Sequence, residues 1–185
     1  MENRENKVTL LIGDRGEGKT KTYIEEVIPS YVAKGYKKSD IHVFMVQPNK
    51  WYTNKFNSGI EQKVTIHYIT DIKEGEKIIT KLHNGVILFE DAQTIFGDRL
   101  DKDTRRMIIN TRMTNVDTYI IYHSWGLVNK DIMRFADVFV CFRIHEDPKV
   151  RSEFLTGLEM EEIRKGQKEI QRGIIKKGDY YIIER

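Results

Sequence analysis

Short apolar runs alternate along the chain with segments of helical hydrophobic spacing. Residues 8–12 and 86–89 are continuously apolar, which is typical of strands buried on both faces of a parallel sheet. Between the strands, apolar residues recur as they do on helices that pack against a sheet. The alternation predicts an α/β fold with a mainly parallel sheet flanked by helices. The predicted strands are residues 8–12, 41–46, 64–69, 86–89, 119–122 and 138–142.

Three helices are predicted between these strands. In the first, apolar residues from Tyr23 to Val32 share one face, Pro29 is expected to kink or end the helix, and Gly35 to stop it. Residues 71–83 and 101–112 predict the other two. Each of the three lies between two strands, as the crossovers of a parallel sheet require.

The character of the sequence changes after Pro148. Residues 152–171 predict a heavily charged amphipathic helix, and residues 173–184 predict a β-hairpin that turns at Lys177-Gly178-Asp179. A chain of 185 residues with 39% hydrophobic content is long enough for one well-buried core. We therefore expect one domain, with residues 1–147 as its core and residues 148–185 as a C-terminal addition.

A glycine-rich motif, Gly-x-x-x-x-Gly-Lys-Thr, joins the first strand to the first helix. Its glycines allow backbone N–H groups to surround a phosphate at the positive end of a helix, while Lys19 reaches the terminal phosphates and Thr20 binds magnesium. The alternative is a strand-to-helix turn without a ligand, which the flanking pattern disfavours. The motif predicts an ATP and Mg²⁺ site. The predicted nucleotide contacts are Gly13, Asp14, Arg15, Gly16, Glu17, Gly18, Lys19, Thr20 and Lys21.

Polar residues end two of the later strands. An ATPase needs one carboxylate to hold magnesium and one to orient or activate water, and Glu90-Asp91 supply both. A surface turn or a helix cap is the alternative for this pair. His123 and Ser124 are placed to hydrogen-bond the γ-phosphate or the attacking water, although a histidine that only caps its strand fits equally well.

Basic side chains offer further candidates. Residues 50–57 interleave lysines with aromatics, as loops that bind single-stranded nucleic acid do. This loop can also cover the nucleotide base or bury its aromatics against the sheet edge. The arginines considered for stabilising transition-state charge, in cis or from a neighbouring subunit, are Arg105, Arg106, Arg112, Arg134 and Arg143.

Composition and charge limit the classes of partner, metal site and cellular location that the sequence allows. The formal net charge of +3 permits a nucleic-acid partner without arguing for one. The single cysteine, Cys141, excludes a disulfide framework and a cysteine-based zinc site. No apolar run approaches the ~20 residues of a membrane-spanning helix, and the N-terminal residues contain no signal core. We expect a soluble, cytoplasmic protein without a membrane segment.

Switch GTPases and small-molecule kinases are the two alternative classes of P-loop protein. A switch GTPase carries Asn-Lys-x-Asp, whereas Asn129-Lys130-Asp131-Ile132 has its acid one position early, and no glycine completes Asp-x-x-Gly after Asp91. These absences disfavour a GTPase. A small-molecule kinase remains possible by size.

The combined pattern resembles the FtsK/HerA-type branch of P-loop ATPases, especially the small Zot-like and viral genome-packaging ATPases. The resemblance spans residues 8–142. It rests on residues 13–20, on 86–93 with Phe96 behind them, and on 119–124 followed by 129–134. In that family the middle block usually ends Asp-Glu-Ala-Gln, whereas here it reads Glu90-Asp91-Ala92-Gln93. The resemblance implies a RecA/FtsK-like fold.

It also implies roles for individual residues. The implied magnesium ligands are Thr20 and the acidic pair, with Glu90 holding the metal and Asp91 acting on water, although the residues alone leave that division open. The family's glutamine sensor falls on His123. Arg112 falls where such families often place an arginine that acts on a neighbour's nucleotide.

The resemblance further implies a homo-oligomeric motor, a hexameric ring, that uses ATP hydrolysis to move DNA into a viral capsid, in the host cytoplasm. Viral capsid or assembly proteins would then be partners. Two alternatives stay open. One is a nucleotide-dependent, Zot-like assembly factor with little turnover, and the other is the small-molecule kinase.

Overall fold

A seven-stranded sheet organises the molecule. The computed structural model describes residues 6–48, 59–60, 62–97, 99–174 and 178–185. The strand order is β3-β2-β4-β5-β1-β6-β7, and every neighbouring pair is parallel except β6 with β7. The predicted α/β fold is thereby confirmed. The strands are β1 (Val8–Ile12), β2 (Ile41–Met45), β3 (Thr65–Tyr68), β4 (Gly85–Phe89), β5 (Val116–Tyr122), β6 (Val138–Cys141) and β7 (Tyr181–Glu184).

Helices connect the strands, and several begin at side-chain caps. Asp71, Asp101 and Asn129 each accept a hydrogen bond from a backbone N–H in the first turn of the helix that follows. Short 3₁₀ segments cover Lys38–Asp40, Trp125–Leu127 and Pro148–Phe154. The α-helices are α1 (Lys19–Thr22), α2 (Ile28–Ala33), α3 (Ile72–Ile79), α4 (Ala92–Phe96), α5 (Lys102–Met113), α6 (Lys130–Phe135) and α7 (Gly157–Gln171).

Pro29 does not end the first helix. A π-helical segment, Tyr23–Val27, joins α1 to α2, and the proline occupies the first turn of α2. Proline lacks an N–H and is tolerated where no intrahelical bond is required, and a π-helical turn accommodates this change of hydrogen-bonding register. The helix continues to Ala33 and stops before Gly35, whose φ of 91° is left-handed.

The core lies on both faces of the sheet. Along β1, Leu10 and Ile12 pack into one apolar cluster while Leu11 packs into the other. Because successive side chains of a strand point to opposite faces, a strand covered on both sides must be apolar throughout. This explains the uninterrupted apolar runs that the sequence shows at β1 and β4.

The C-terminal segment corrects two predictions. The helix begins at Gly157, later than expected, where Thr156 and Glu159 form a reciprocal capping box. The predicted C-terminal strand is present as β7, which pairs antiparallel with β6, and no hairpin partner for it lies among the described residues of this segment. Residues 175–177 of the expected hairpin lie outside the described residues, as does the basic aromatic segment 50–57. Across the described ranges, no helix is long and apolar enough to cross a bilayer.

Candidate nucleotide-binding site

The sheet topology places the predicted site residues at one edge. β5 lies between the P-loop strand β1 and the acidic strand β4, and Leu10, Ile120 and Phe89 are in register across the three. The carboxyl ends of these parallel strands therefore meet at one edge of the sheet. With about 4.8 Å between neighbouring strands, the P-loop and the acidic pair are about 10 Å apart. That spacing leaves room for a phosphate group and a water above β5.

The P-loop glycines are required by the backbone. A Cβ at Gly13 would lie 2.6 Å from the Cβ of Phe142, so only glycine fits beside β6. Gly16 and Gly18 have φ angles of 82° and 99°, in the left-handed region that L side chains rarely adopt. The glycines that the motif contributes therefore shape the loop that begins α1.

Lys19 is folded back over its own loop. Its Nζ donates to the carbonyl oxygens of Gly13, at 2.5 Å, and Asp14, at 2.8 Å. Only 3% of the residue is exposed. Burial lowers the pKa of the Lys19 ammonium to about 8, although nearby carboxylates, Glu90 first among them, oppose the shift. The Lys19 ammonium is thus held against the carbonyl oxygens of its own loop.

The two acidic residues occupy different environments. Glu90 is 5% exposed and continues the ladder beyond β4, where its N–H donates to the carbonyl of Phe44 at 2.9 Å. Asp91 is left-handed, with a φ of 54°, and 43% of its side chain is exposed. It stands at the N-cap of α4, yet its side chain makes no cap hydrogen bond. Helix capping therefore does not explain the aspartate.

Asp91 is held by two side chains. His123 Nε2 lies 3.1 Å from Asp91 Oδ1, and the Gln93 amide donates to the same oxygen. The hydrogen bond from His123 is the main reason that the pKa of Asp91 lies below its usual value, and the positive charge of Arg15 also lowers it. His123 thus joins the acidic pair directly.

A cleft of about 650 Å³ opens over these groups. It includes residues from the P-loop, from the ends of β4 and β5, and from the chain after β2. Clefts of this size at the carboxyl edge of a parallel sheet are typical ligand sites. The lining residues are Arg15, Thr20, Met45, Val46, Gln47, Pro48, Glu90, Asp91, Thr94 and His123.

Other predicted P-loop contacts face elsewhere. Asp14 accepts hydrogen bonds from the backbone and the imidazole of His145, which ties the loop to the chain after β6. Glu17 is buried, and its Oε2 has no hydrogen-bond partner among the described residues. The Lys21 side chain is half exposed and pairs with Glu25. These three side chains do not line the cleft.

The structure does not bring the predicted arginines to the cleft. Arg112 pairs with Asp137 at 2.7 Å and donates to the carbonyl of Phe135, at the edge of the sheet where β5 and β6 begin. The site lies at the opposite edge. Arg105 and Arg134 pair with Asp131. Within the described ranges, Arg15 is the arginine that lines the cleft, so any role of Arg112 would require a neighbouring chain.

Sequence reasoning missed some members of the site. Gln93 was part of the resemblance but received no role, and its contact with Asp91 follows from the turn that begins α4. The far wall of the cleft, residues 45–48, carries no recognisable motif. It begins at the last residue of β2, and its place beside Glu90 depends on the pairing of β2 with β4, which no local pattern predicts.

Solved structures share this architecture. The genome-packaging NTPase B204 from Sulfolobus turreted icosahedral virus 2 in complex with AMP matches with a TM-score of 0.71 and 12% identity, over 98% of this chain and 94% of that chain. The chain has the fold of a viral genome-packaging NTPase. The same protein with ATP-gammaS gives a TM-score of 0.65 at 13% identity, over 87% of both chains. The DNA-packaging ATPase B204 from Sulfolobus turreted icosahedral virus gives 0.70 at 11%, over 98% and 94%.

These likenesses bear on the fold alone, because the identities are low. They confirm the fold that the sequence resemblance implied, and two of the three cover 98% of this chain. No protein-family model and no curated protein matches the sequence.

Proposed function

We propose that this protein binds ATP with Mg²⁺ and hydrolyses it to drive DNA into a viral particle. The observation that carries the proposal is one cleft lined by Thr20 of the P-loop, the Glu90-Asp91 pair and His123, in a chain whose whole fold is that of a packaging NTPase. The buried Lys19 ammonium lies close enough to Glu90 and Asp91 for their charges to raise its pKa. The structural neighbours named above are described as packaging NTPases, and two were solved with AMP or an ATP analogue.

The residues present fit a nucleotide phosphate and a metal ion. The P-loop has the left-handed glycines and the buried ammonium that a phosphate cradle requires. Thr20 and Glu90 would hold Mg²⁺, which prefers a few oxygen ligands together with phosphate oxygens and water. The metal would neutralise charge on the β- and γ-phosphates. Asp91 would act on the attacking water, with His123 bound to its carboxylate.

The proposal includes a homo-oligomer, a hexameric ring. Phosphoryl transfer commonly uses an arginine supplied in cis or by a neighbour. In this chain Arg15 reaches the cleft within the described ranges, while Arg112 lies at the far edge of the sheet. A second copy is therefore the natural source of any further arginine. In this proposal the protein acts in the host cytoplasm, with the capsid as its partner.

The test is phosphate release from ATP with Mg²⁺, with and without single- and double-stranded DNA, together with the mass of the assembly in solution. We expect turnover that DNA stimulates and that Lys19→Ala lowers at least 100-fold, because the terminal phosphates lose their charged partner. Lys34→Ala is the matched control, since its ammonium lies over the Tyr31 ring just after α2, away from the P-loop.

Turnover that ignores DNA, in a protein that stays monomeric, would contradict the motor. Tight ATP binding without turnover would favour the assembly factor, and transfer of phosphate to a metabolite would favour the kinase.

A further inference from the structure

The carboxylate of Asp91 is fixed through one of its two oxygens. Oδ1 accepts from the His123 imidazole, which arrives from the end of β5, and from the Gln93 amide, which arrives from α4. Among the described residues no hydrogen bond or ion pair is made to Oδ2, and the side chain is partly exposed in the cleft. Two donors on one oxygen fix the direction of the other, since a carboxylate is planar.

Backbone geometry supports the same arrangement. Asp91 adopts a left-handed conformation, which costs a non-glycine residue about 1 kcal/mol. Such strain persists where surrounding contacts determine the conformation. Aspartate has a short side chain with few rotamers, so its carboxylate can move little once these contacts have formed.

The imidazole has one tautomer that suits this role. His123 Nδ1 is buried and has no hydrogen-bond partner among the described residues. A proton on Nδ1 would be buried without an acceptor, which is costly, whereas a proton on Nε2 is received by Asp91. His123 is therefore a donor towards Asp91, as the Gln93 amide is.

We propose that His123 and Gln93 are positioning residues that hold Asp91 by Oδ1 so that Oδ2 faces the attacking water, and that neither side chain contacts the γ-phosphate. The inference rests on the proposed ATP hydrolysis and deepens it. Water gives its proton to Oδ2 as its oxygen bonds to the γ-phosphorus. The bond from that phosphorus to the bridging oxygen breaks, and the electron pair leaves with ADP.

A double-mutant cycle tests the inference. We expect His123→Ala to lower kcat about 100-fold, as a misplaced catalytic group does, and Gln93→Ala to lower it about tenfold. The ratio of ATP-gammaS affinity to ADP affinity should stay within about twofold of wild type, since neither side chain contacts the γ-phosphate. In an Asp91→Ala background, both substitutions should have no further effect on kcat, because both act through the carboxylate.

Two variants separate positioning from a loss of structure. His123→Gln keeps an N–H donor and should recover at least tenfold of the rate lost in His123→Ala. His83→Ala removes an exposed histidine at the far edge of the sheet and should leave kcat unchanged. Thermal unfolding is measured for each variant beside kcat, so that a loss of structure is recognised as such.

Three results overturn the inference. A His123→Ala protein that binds ATP-gammaS at least tenfold more weakly relative to ADP would place the imidazole on the γ-phosphate. Equal losses in the wild-type and Asp91→Ala backgrounds would show that His123 does not act through Asp91. Either result leaves ATP hydrolysis standing. A wild-type protein that releases no phosphate from ATP overturns both the inference and the proposed function.

Discussion

His42 and His67 form a stacked imidazole pair where β2 meets β3, with ring centroids 5.1 Å apart. His42 Nε2 lies 2.8 Å from the carbonyl oxygen of Ser39, so this nitrogen carries the proton. His42 Nδ1 must then accept from His67 Nε2, 2.8 Å away. The bond requires a neutral His42, and burial is the main cause that lowers the pKa of both imidazoles.

The pair predicts a pH-dependent stability. Because the folded pKa values lie below the unfolded value of 6.5, the unfolded chain binds more protons, and the stabilisation is full above pH 6.5 and is lost as the pH falls below it. Protonation of His42 breaks one hydrogen bond, which is worth about 1 kcal/mol. Urea unfolding at pH 7.5 and pH 5.0 should show this loss in wild type. Between these two pH values the free energy of unfolding should fall less in a His67→Phe variant than in wild type. The exposed control His83→Gln should show the same fall as wild type.

At the scale of elements, buried hydrogen bonds hold α7 and β7 against each other and against the chain after β6. The Gln167 amide accepts from the Ile144 N–H and donates to the carbonyl oxygen of Phe142 and to the Tyr181 hydroxyl. The Tyr181 hydroxyl in turn donates to the carbonyl oxygen of Ile163. These hydrogen bonds hold Tyr181 against α7, and its ring lies over Gly166.

This packing predicts opposite outcomes for two glycines of the same helix. A Cβ at Gly166 would lie 2.6 Å from the Tyr181 ring, so Gly166→Ala should lower the free energy of unfolding by about 1–3 kcal/mol in spite of the higher helix propensity of alanine. Nothing lies within 4 Å of a Cβ at Gly157, where alanine should be neutral or stabilising by up to about 1 kcal/mol. Chemical denaturation of both variants is the measurement, and a Gly166→Ala protein as stable as wild type would refute this packing.

Elements with a local signal were predicted well. Residue type and spacing along the chain were enough to predict the P-loop, the buried apolar runs of β1 and β4, and the carboxylates after β4. The pairing of the C-terminal strand could not be predicted in this way. An edge strand can pair with a distant strand as readily as with a hairpin partner, and only tertiary contacts determine which partner it has. The same holds for the Asp91 and His123 contact, which depends on β5 lying between β1 and β4.

At the scale of the whole molecule, the C-terminal segment completes the fold. Ile163 and Ile183 belong to the apolar cluster that also contains Phe139 of β6. The Arg185 guanidinium lies over the Phe139 ring and donates to the carbonyl oxygen of Met133 at 2.6 Å. The expectation of a single domain over residues 1–147 and 148–185 stays a prediction, and these contacts favour it.

Deletion of residues 156–185 tests it. Removing α7 and β7 exposes the face of β6 that they cover, and burial of such apolar surface is worth about 25 cal/mol per Å². We expect the shortened chain to lose cooperative thermal unfolding by circular dichroism and to lose ATP binding. Arg172→Ala, at an exposed position just after α7, is the control and should unfold as wild type does. A shortened chain that melts cooperatively at the wild-type temperature would show that residues 1–155 fold alone.

The place of β1 in the sheet also shapes how the chain is made. β1 pairs with β5 and β6, and Val8 meets Thr118, a partner more than one hundred residues later in the sequence. At a synthesis rate of about 5–20 residues per second, β5 is therefore completed on the order of 5–20 s after β1 and its P-loop. Through that interval an apolar strand stands unpaired in the nascent chain, which makes early chaperone engagement valuable for this protein.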